Sequence, residues 1–448
     1  MGHRVVVGAL VLLLVGIGEA GAASLRTTFE TFLDRLAWLL RSGPGDATRA
    51  EPREWEPAPG GARATSDLVV DLFGSTMPVP LVHAVRETVT GVRVTTRLDV
   101  ARLSPDVRAV LEALLPDYRD LVLDVTLDGQ GRWDGELRLP PFSVDDPDVT
   151  GEIGASRIAF TLDFGPGERF AGGVRMHFGR MWGRDEETRF DLELEPVDVR
   201  FETLRYHRGR PLLGYAEVGG AGANLSVREA EGTTEMVVGP FRLNGGSRAL
   251  EDGRVRLAFG LDFAFARILL PDEEPVGPGR IGFDFTLEGM SMRALRRLIE
   301  FSETSDPLAP APGPEAAGSP EREMARDLFA RPGRLTITGT FAFEGRRAVV
   351  DLDVGWPAPR RDLRTVADWL DLLEGRLRLD IPLDLVEDPQ IQQSLAAPVA
   401  MGLATVREGR VQADLRITGG MVLGGAQPQP LVALLGDVAT MPLDVPAR

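Results

Sequence analysis

The sequence contains no cysteine and no lysine, and only four histidines and three tyrosines. Without cysteine there can be no disulfide, no thiolate nucleophile and no Cys-ligated zinc. An exported protein can do without cysteine, so this does not place the chain in the cytoplasm. Without lysine, the 50 basic residues are all arginine, and against 67 acidic residues the net charge is −17. Such a field repels nucleic acid, and no basic stripe offsets it, so nucleic acid is not expected as a partner. His3, His83, His177 and His207 form no H-E-x-x-H pattern or comparable pair, so no metal site is expected. No G-x-S-x-G elbow is present, and neither Ser226 nor Ser291 has a recognisable histidine partner. The Gly219-Gly220-Ala221-Gly222 run precedes a strand rather than a helix start that could cradle phosphate.

What is present is alternation. Apolar residues make up 43% and charged residues 26% of 448 residues, a globular composition long enough for two or three domains or one elongated sheet system. The clearest stretch runs from Leu335 to Val354. Leu335, Ile337, Phe341 and Phe343 take alternate positions, with Thr336, Thr338 and Thr340 between them. Side chains alternate across a strand, so the large groups share one face. Glu344-Gly345-Arg346-Arg347 is a polar break suited to a hairpin turn, and Val350, Leu352 and Val354 return on one face with Asp351 and Asp353 opposite.

At the N-terminus, Arg4 precedes the apolar run Val5 to Ile17, followed by Ala20-Gly21-Ala22. A positive start, a short apolar segment and a small-x-small step have the form of an export signal. The expectation is an uncleaved inner-membrane anchor with the body in the periplasm; cleavage after Ala22 would release a soluble periplasmic protein. Residues 25–40 carry apolar groups at helical spacing, read as a helix packed on the following domain rather than lying on the membrane. Residues 41–66, rich in Pro, Gly, Ala and charge, read as a flexible spacer. Met77-Pro78-Val79-Pro80 is expected to break the strand after Leu68–Phe73, and Ser104-Pro105 to start a helix. Strand patterns then recur with Gly-containing breaks as far as Leu287, followed by helical spacing at 291–301. Residues 302–320, rich in Pro, Ala and Ser, read as the main internal linker.

In the C-terminal third, Gly333-Arg334-Leu335-Thr336-Ile337 opens a hairpin after a helix, and residues 377–385 read LRLDIPLDL. Closing strands over 410–425 precede Leu431-Val432-Ala433-Leu434-Leu435 and Met441-Pro442-Leu443-Asp444-Val445-Pro446. With the N-terminal apolar segment and the strand-rich body, this order of features resembles the YdgA-like family of bacterial envelope proteins, whose domain has no assigned function. The resemblance implies an envelope protein and brings no catalytic residues with it. Glu19 in the N-terminal segment departs from the pattern.

Acidic clusters at Asp145-Asp146-Asp148, Asp185-Glu186-Glu187 and Asp272-Glu273-Glu274 fall in expected loops and read as solvated turns, without the ligand spacing of calcium loops. His177 reads as a half-exposed strand residue. With 67 carboxylates, no acid–base pair can be selected for a hydrolase.

The expected fold is α+β, mainly antiparallel β, with long meandering sheets and a few packed helices. The expected divisions are a segment at 1–23, helix and spacer at 24–66, a strand-rich domain at 67–301, a linker at 302–320 and an α+β region at 321–448. The expected function is non-enzymatic, with no cofactor, metal or catalytic residue. A hydrophobic ligand such as lipid would lie along the apolar face of Leu335, Ile337, Phe341 and Phe343. The alternatives are a scaffold for envelope proteins and a carboxylate-dependent hydrolase. The expected partners are the membrane through the N-terminal segment, and lipid or envelope proteins.

Overall fold

A computed structural model describes residues 25–445, apart from 42–46, 73–74, 116, 146–149, 166–168, 186, 208–209, 230–231, 272–273, 298–325 and 386–388. The expected anchor at 1–23 and the linker at 302–320 lie outside the described residues. The rest is mainly antiparallel β with few helices. The chain divides into two compact units, one of Met1–Pro240 with Arg267–Val276 and one of Phe241–Ala266 with Gly277–Arg448.

The first unit begins with helix α1 (Leu25–Leu39), followed by β1 (Arg49–Ala58), β2 (Gly61–Leu72), β3 (Ser75–Thr88) and β4 (Gly91–Leu98). Helix α2 (Pro105–Leu114) starts as its sequence predicts, with Pro105 in the first turn and the Ser104 hydroxyl accepting from the Val107 N–H at 3.3 Å. Then come β5 (Val122–Asp128) and β6 (Trp133–Leu139). Antiparallel ladders join β1 to β2, β2 to β3, β3 to β4, β4 to β5 and β5 to β6. Phe29, Phe32, Leu33 and Leu36 of α1 are buried on this sheet against Val85, Val94, Val125 and Trp133. Helix α1 is therefore the packed helix that its spacing predicts, and burying its apolar stripe is what gives the sheet a core.

Two expectations on this stretch need correction. The spacer expected at 41–66 is largely strand, because β1 and β2 pair from Arg49↔Val69 to Ala58↔Gly61. Pro52 and Pro57 are tolerated on β1, whose described ladder is with β2 alone, and Trp55 packs on the core with a register shift before it. Nor do Pro78 and Pro80 break β3. The Pro80 carbonyl accepts from the Asp99 N–H at 2.9 Å, on the side away from β2. Amide N and C=O of one strand residue point the same way, so the missing N–H costs the β2–β3 ladder nothing.

Five longer strands follow, each interrupted once. They are β6 with β7 (Phe142–Asp145), β8 (Thr150–Ile153) with β9 (Ser156–Phe164), and β10 (Phe170–His177) with β11 (Met181–Arg184). The others are β12 (Arg189–Leu194) with β13 (Val197–His207), and β14 (Arg210–Gly220) with β15 (Ala223–Glu229). The breaks at 140–141, 154–155, 178–180, 195–196 and 221–222 fall side by side across the ladders. Their composition explains them. Pro140, Pro141 and Pro196 cannot donate to a ladder, and Gly154, Gly179 and Gly222 permit close backbone approach. The Gly154 N–H donates to the Arg180 carbonyl at 2.9 Å, and the Glu195 N–H to the Gly222 carbonyl at 3.0 Å. A Cβ on Gly179 would lie 2.2 Å from the Gly154 carbonyl carbon. Beyond the breaks, β7, β8, β11, β12 and β15 pair in that order, and β16 (Gly232–Ala249) pairs with β15.

In the second unit, β17 (Arg254–Leu269), β18 (Gly279–Ser291), β19 (Gly333–Phe343) and β20 (Arg346–Trp356) form consecutive ladders. The β19–β20 hairpin turns on Glu344 and Gly345, with φ of 47° and 82°, so Arg346 already belongs to β20. Since β18 and β19 pair directly from Gly279↔Phe343 to Glu288↔Arg334, the stretch at 302–320 connects neighbouring strands of one sheet rather than two domains. Strand β21 (Leu363–Thr365) leads into helix α3 (Val366–Leu370), and β22 (Glu374–Pro382) pairs with β20. Strand β23 (Thr405–Arg407) is followed by β24 (Arg410–Thr418), which pairs with β22.

Aromatic rings repeatedly lie over a glycine on the paired strand. Added Cβ atoms on Gly135, Gly183, Gly279 and Gly333 would meet Phe160, Phe190, Phe265 and Trp356 at 2.0–2.4 Å. Each is a directly paired couple in its ladder, so the empty glycine position accepts the ring and helps fix register.

Gly179→Ala is expected to destabilise the protein by about 1–3 kcal/mol in urea unfolding, because the clash is with backbone and cannot rotate away. Gly129→Ala, with nothing within 4 Å of its added Cβ, should change stability by less than about 0.5 kcal/mol.

Candidate functional site

The four residues singled out by their alternation, Leu335, Ile337, Phe341 and Phe343, share one face of β19. The register extends that face across six strands. Ile337 faces Phe285 of β18 and Leu352 of β20, Phe285 faces Phe259 of β17, and Leu352 faces Leu377 of β22, itself opposite Leu415 of β24. Phe341 faces Ile281, which faces Phe263. These neighbours follow the same alternation, but only the register shows that they meet.

The two ends of this face differ. At one end Val354, Trp356, Leu370, Leu373, Leu415 and Ile417 form a buried cluster, with Leu335 packed against it. Trp369 of α3 lies 4.3 Å from Phe329 and 5.6 Å from Trp356 between ring centroids, capping the sheet there. Away from this cluster, Phe259 in the Ile337 row and Ile281 in the Phe341 row remain 41% and 37% exposed, while Phe265 beside Phe343 is buried. Phe341 and Phe343 stack with centroids 6.3 Å apart, and Phe259 lies 6.2 Å from Phe283. These rings contact each other within the sheet, and Arg346 sits over the Phe343 ring at 5.6 Å. Leu335 is thus part of the closed core, while Phe341 and Phe343 lie beyond it and are half-buried.

The opposite face is charged and cross-linked. Arg334 Nε donates to Asp353 at 2.7 Å, Arg376 Nε to Asp414 at 2.6 Å and Arg280 Nε to Asp262 at 2.7 Å. The facing guanidinium holds each of these carboxyls below the usual carboxylate range. Such forked pairs are salt-screened and individually weak, but they fit only one register.

The first unit repeats the pattern beyond its line of breaks. Phe142, Ile153, Met181, Leu192, Leu225 and Met236 face one another across successive ladders, all half-buried. Phe190 beside them is 43% exposed. Arg180, Asp191, Asn224, Ser226 and Glu235 occupy the other face of this part of the sheet.

The residues with reactive chemistry are engaged in structure. His83 is buried, with Nε2 2.8 Å from the Ser66 hydroxyl and Nδ1 2.9 Å from the Thr96 hydroxyl. The Phe29 ring lies 4.9 Å from the imidazole and Phe32 is close by, so α1 seals this polar link between β2, β3 and β4. A neutral imidazole donates through one nitrogen and accepts through the other, which satisfies both contacts. Sequence reasoning missed this histidine because Pro78 and Pro80 obscured the alternation of Leu81, His83 and Val85. His177 is exposed. Among the acidic clusters, Asp185 accepts from the Glu187 and Thr188 N–H groups at 2.9 and 2.7 Å, and those bonds hold its carboxyl below the usual range. This is the local hydrogen bonding of a solvated turn. Residues 146–149, 186 and 272–273 of these clusters lie outside the described residues. Among the described residues no group of three or more His, Asp or Glu could hold a metal ion, and no helix is long and apolar enough to cross a membrane.

Burial pushes the His83 imidazole down to about 3 from its ordinary value near 6.5. The unfolded state therefore binds the extra proton between these values, and stability contributed by neutral His83 is intact above pH 6.5. Below pH 6.5 it falls by up to about 1.4 kcal/mol per pH unit, until the folded-state value is passed. Unfolding midpoints measured between pH 4.5 and 7 should show this slope in the native protein, and His83→Gln should remove most of it.

Compared with known families, curated proteins and solved structures, the chain matches none of them.

Proposed function

We propose that this protein is a non-enzymatic envelope protein that holds a hydrophobic ligand, such as the acyl chain of a lipid, along the apolar face of its sheet. The observation that carries the reading is the half-closed face of β17, β18, β19 and β20. Trp356 and Trp369 seal one end, while Phe259 and Ile281, on β17 and β18 away from that seal, remain 41% and 37% exposed. Large aromatic and aliphatic groups left in contact with water are costly, which favours a ligand that covers them. Apart from Arg346 over Phe343 at its edge, the described residues of the face are rings and aliphatic chains, which suits hydrocarbon rather than a polar substrate. The envelope placement and the YdgA-like assignment rest on the sequence alone: Arg4 with the apolar run Val5 to Ile17, and the order of elements over 333–446.

Native mass spectrometry of the full chain, exported and purified without detergent, is expected to show stoichiometric lipid that organic extraction removes. Phe341→Glu should lower that occupancy at least about tenfold, because it sets a charge on the hydrocarbon-contacting face. A monodisperse native protein carrying no lipid, with Phe341→Glu indistinguishable from it, would overturn the proposal.

A further inference from the structure

At the edge of its core the first unit contains an apolar slot. It has a volume of about 170 Å³ and opens beside the C-terminal half of α1. Leu36 of α1 and Leu40 just past its end form one wall; Leu68 of β2, Leu98 of β4, Leu121 and Leu139 form the others, with further aliphatic side chains from β3, β5 and β6. Two polar residues border it. Thr96 spends its hydroxyl on His83 at 2.9 Å. Arg97 is exposed, and strand alternation sets it on the face opposite Thr96 and Leu98.

The chemistry of the walls limits the occupant. A buried water needs two to four polar partners, which this lining does not provide. A polar ligand group would lose its hydration without replacement. Hydrocarbon loses nothing, and a leucine-lined cavity of about 150 Å³ stays dry and admits a molecule the size of benzene. Being open on one side and too small for a whole lipid, the slot fits one end of a longer ligand.

We propose that this slot binds the terminal segment of a single alkyl chain. The inference shares its ligand class with the proposed function but rests on different residues in the other unit, so the two can fail separately.

The test uses the full chain and a series of 1-alkanols from butanol to decanol, titrated by calorimetry. Affinity should rise about fourfold per methylene while the slot fills, then level off. Leu98→Trp, which fills the slot, should weaken decanol binding at least about tenfold with the unfolding midpoint retained. Phe341→Glu alters only the separate face proposed for lipid in the second unit, so the component of decanol binding that Leu98→Trp removes should persist in it. If Leu98→Trp fails to fold, methyl NMR of the leucine-labelled native protein replaces it, and decanol should give intermolecular contacts to the Leu98 and Leu121 methyls. Absence of saturable binding to the native protein would overturn the slot. So would binding lost in Phe341→Glu but kept in Leu98→Trp, or contacts confined to other methyls. Neither of these last two results would touch the lipid reading of the second unit.

Discussion

Antiparallel register is the constraint on which this structure depends. Side chains alternate strictly along a strand, so a slip of one residue would carry every phenylalanine of β19 to the charged side and every threonine to the apolar side. Two devices hold the register from opposite faces. On the charged face, forked arginine–aspartate pairs such as Arg334–Asp353 and Arg376–Asp414 join neighbouring strands. On the apolar face, rings such as Phe265 and Trp356 lie over Gly279 and Gly333, where any side chain would displace them. The absence of lysine fits this arrangement, because a guanidinium meets a carboxylate with two parallel bonds and an ammonium does not.

A sheet with one apolar face must cover it, and the two units do so to different extents. In the first, α1 lays Phe29, Phe32, Leu33 and Leu36 over β2 to β6 and buries His83 beneath them. Past the aligned proline and glycine breaks, the faces of β7, β8, β11, β12 and β15 are only half-buried. In the second, Phe329, Trp356 and Trp369 close one end, and Phe341 and Phe343 stack on the sheet at the other. The functional reading comes from this contrast between covered and uncovered hydrocarbon on sheets that share one pattern.

Much of this was legible from period alone. The β19–β20 hairpin, α1 and the Ser104 cap follow from spacing and local chemistry that tertiary context did not override. The strands that escaped notice, β1 and the start of β3, carry prolines whose harmlessness depends on which neighbour each amide faces, a fact about pairing that no local window contains. The stretch at 302–320 has the composition of a linker, but the strands on either side of it pair with each other. Of the candidate site, Leu335, Ile337, Phe341 and Phe343 were visible as a face, while their continuation into Phe259, Ile281, Leu352 and Leu377 required the register. That Leu335 belongs to the closed end and Phe341 lies outside it depends on α3, whose docking leaves no mark in the strand itself.

The absence of cysteine allows the central claim to be tested with one label at a time. Phe341→Cys and Thr340→Cys, adjacent residues on opposite faces of β19, would each carry bimane, with fluorescence followed as oleate is added to the full chain. The account predicts a saturable blue shift for the label at 341, on the apolar face, and none for the label at 340. Equal responses at both positions, or none at 341, would contradict it.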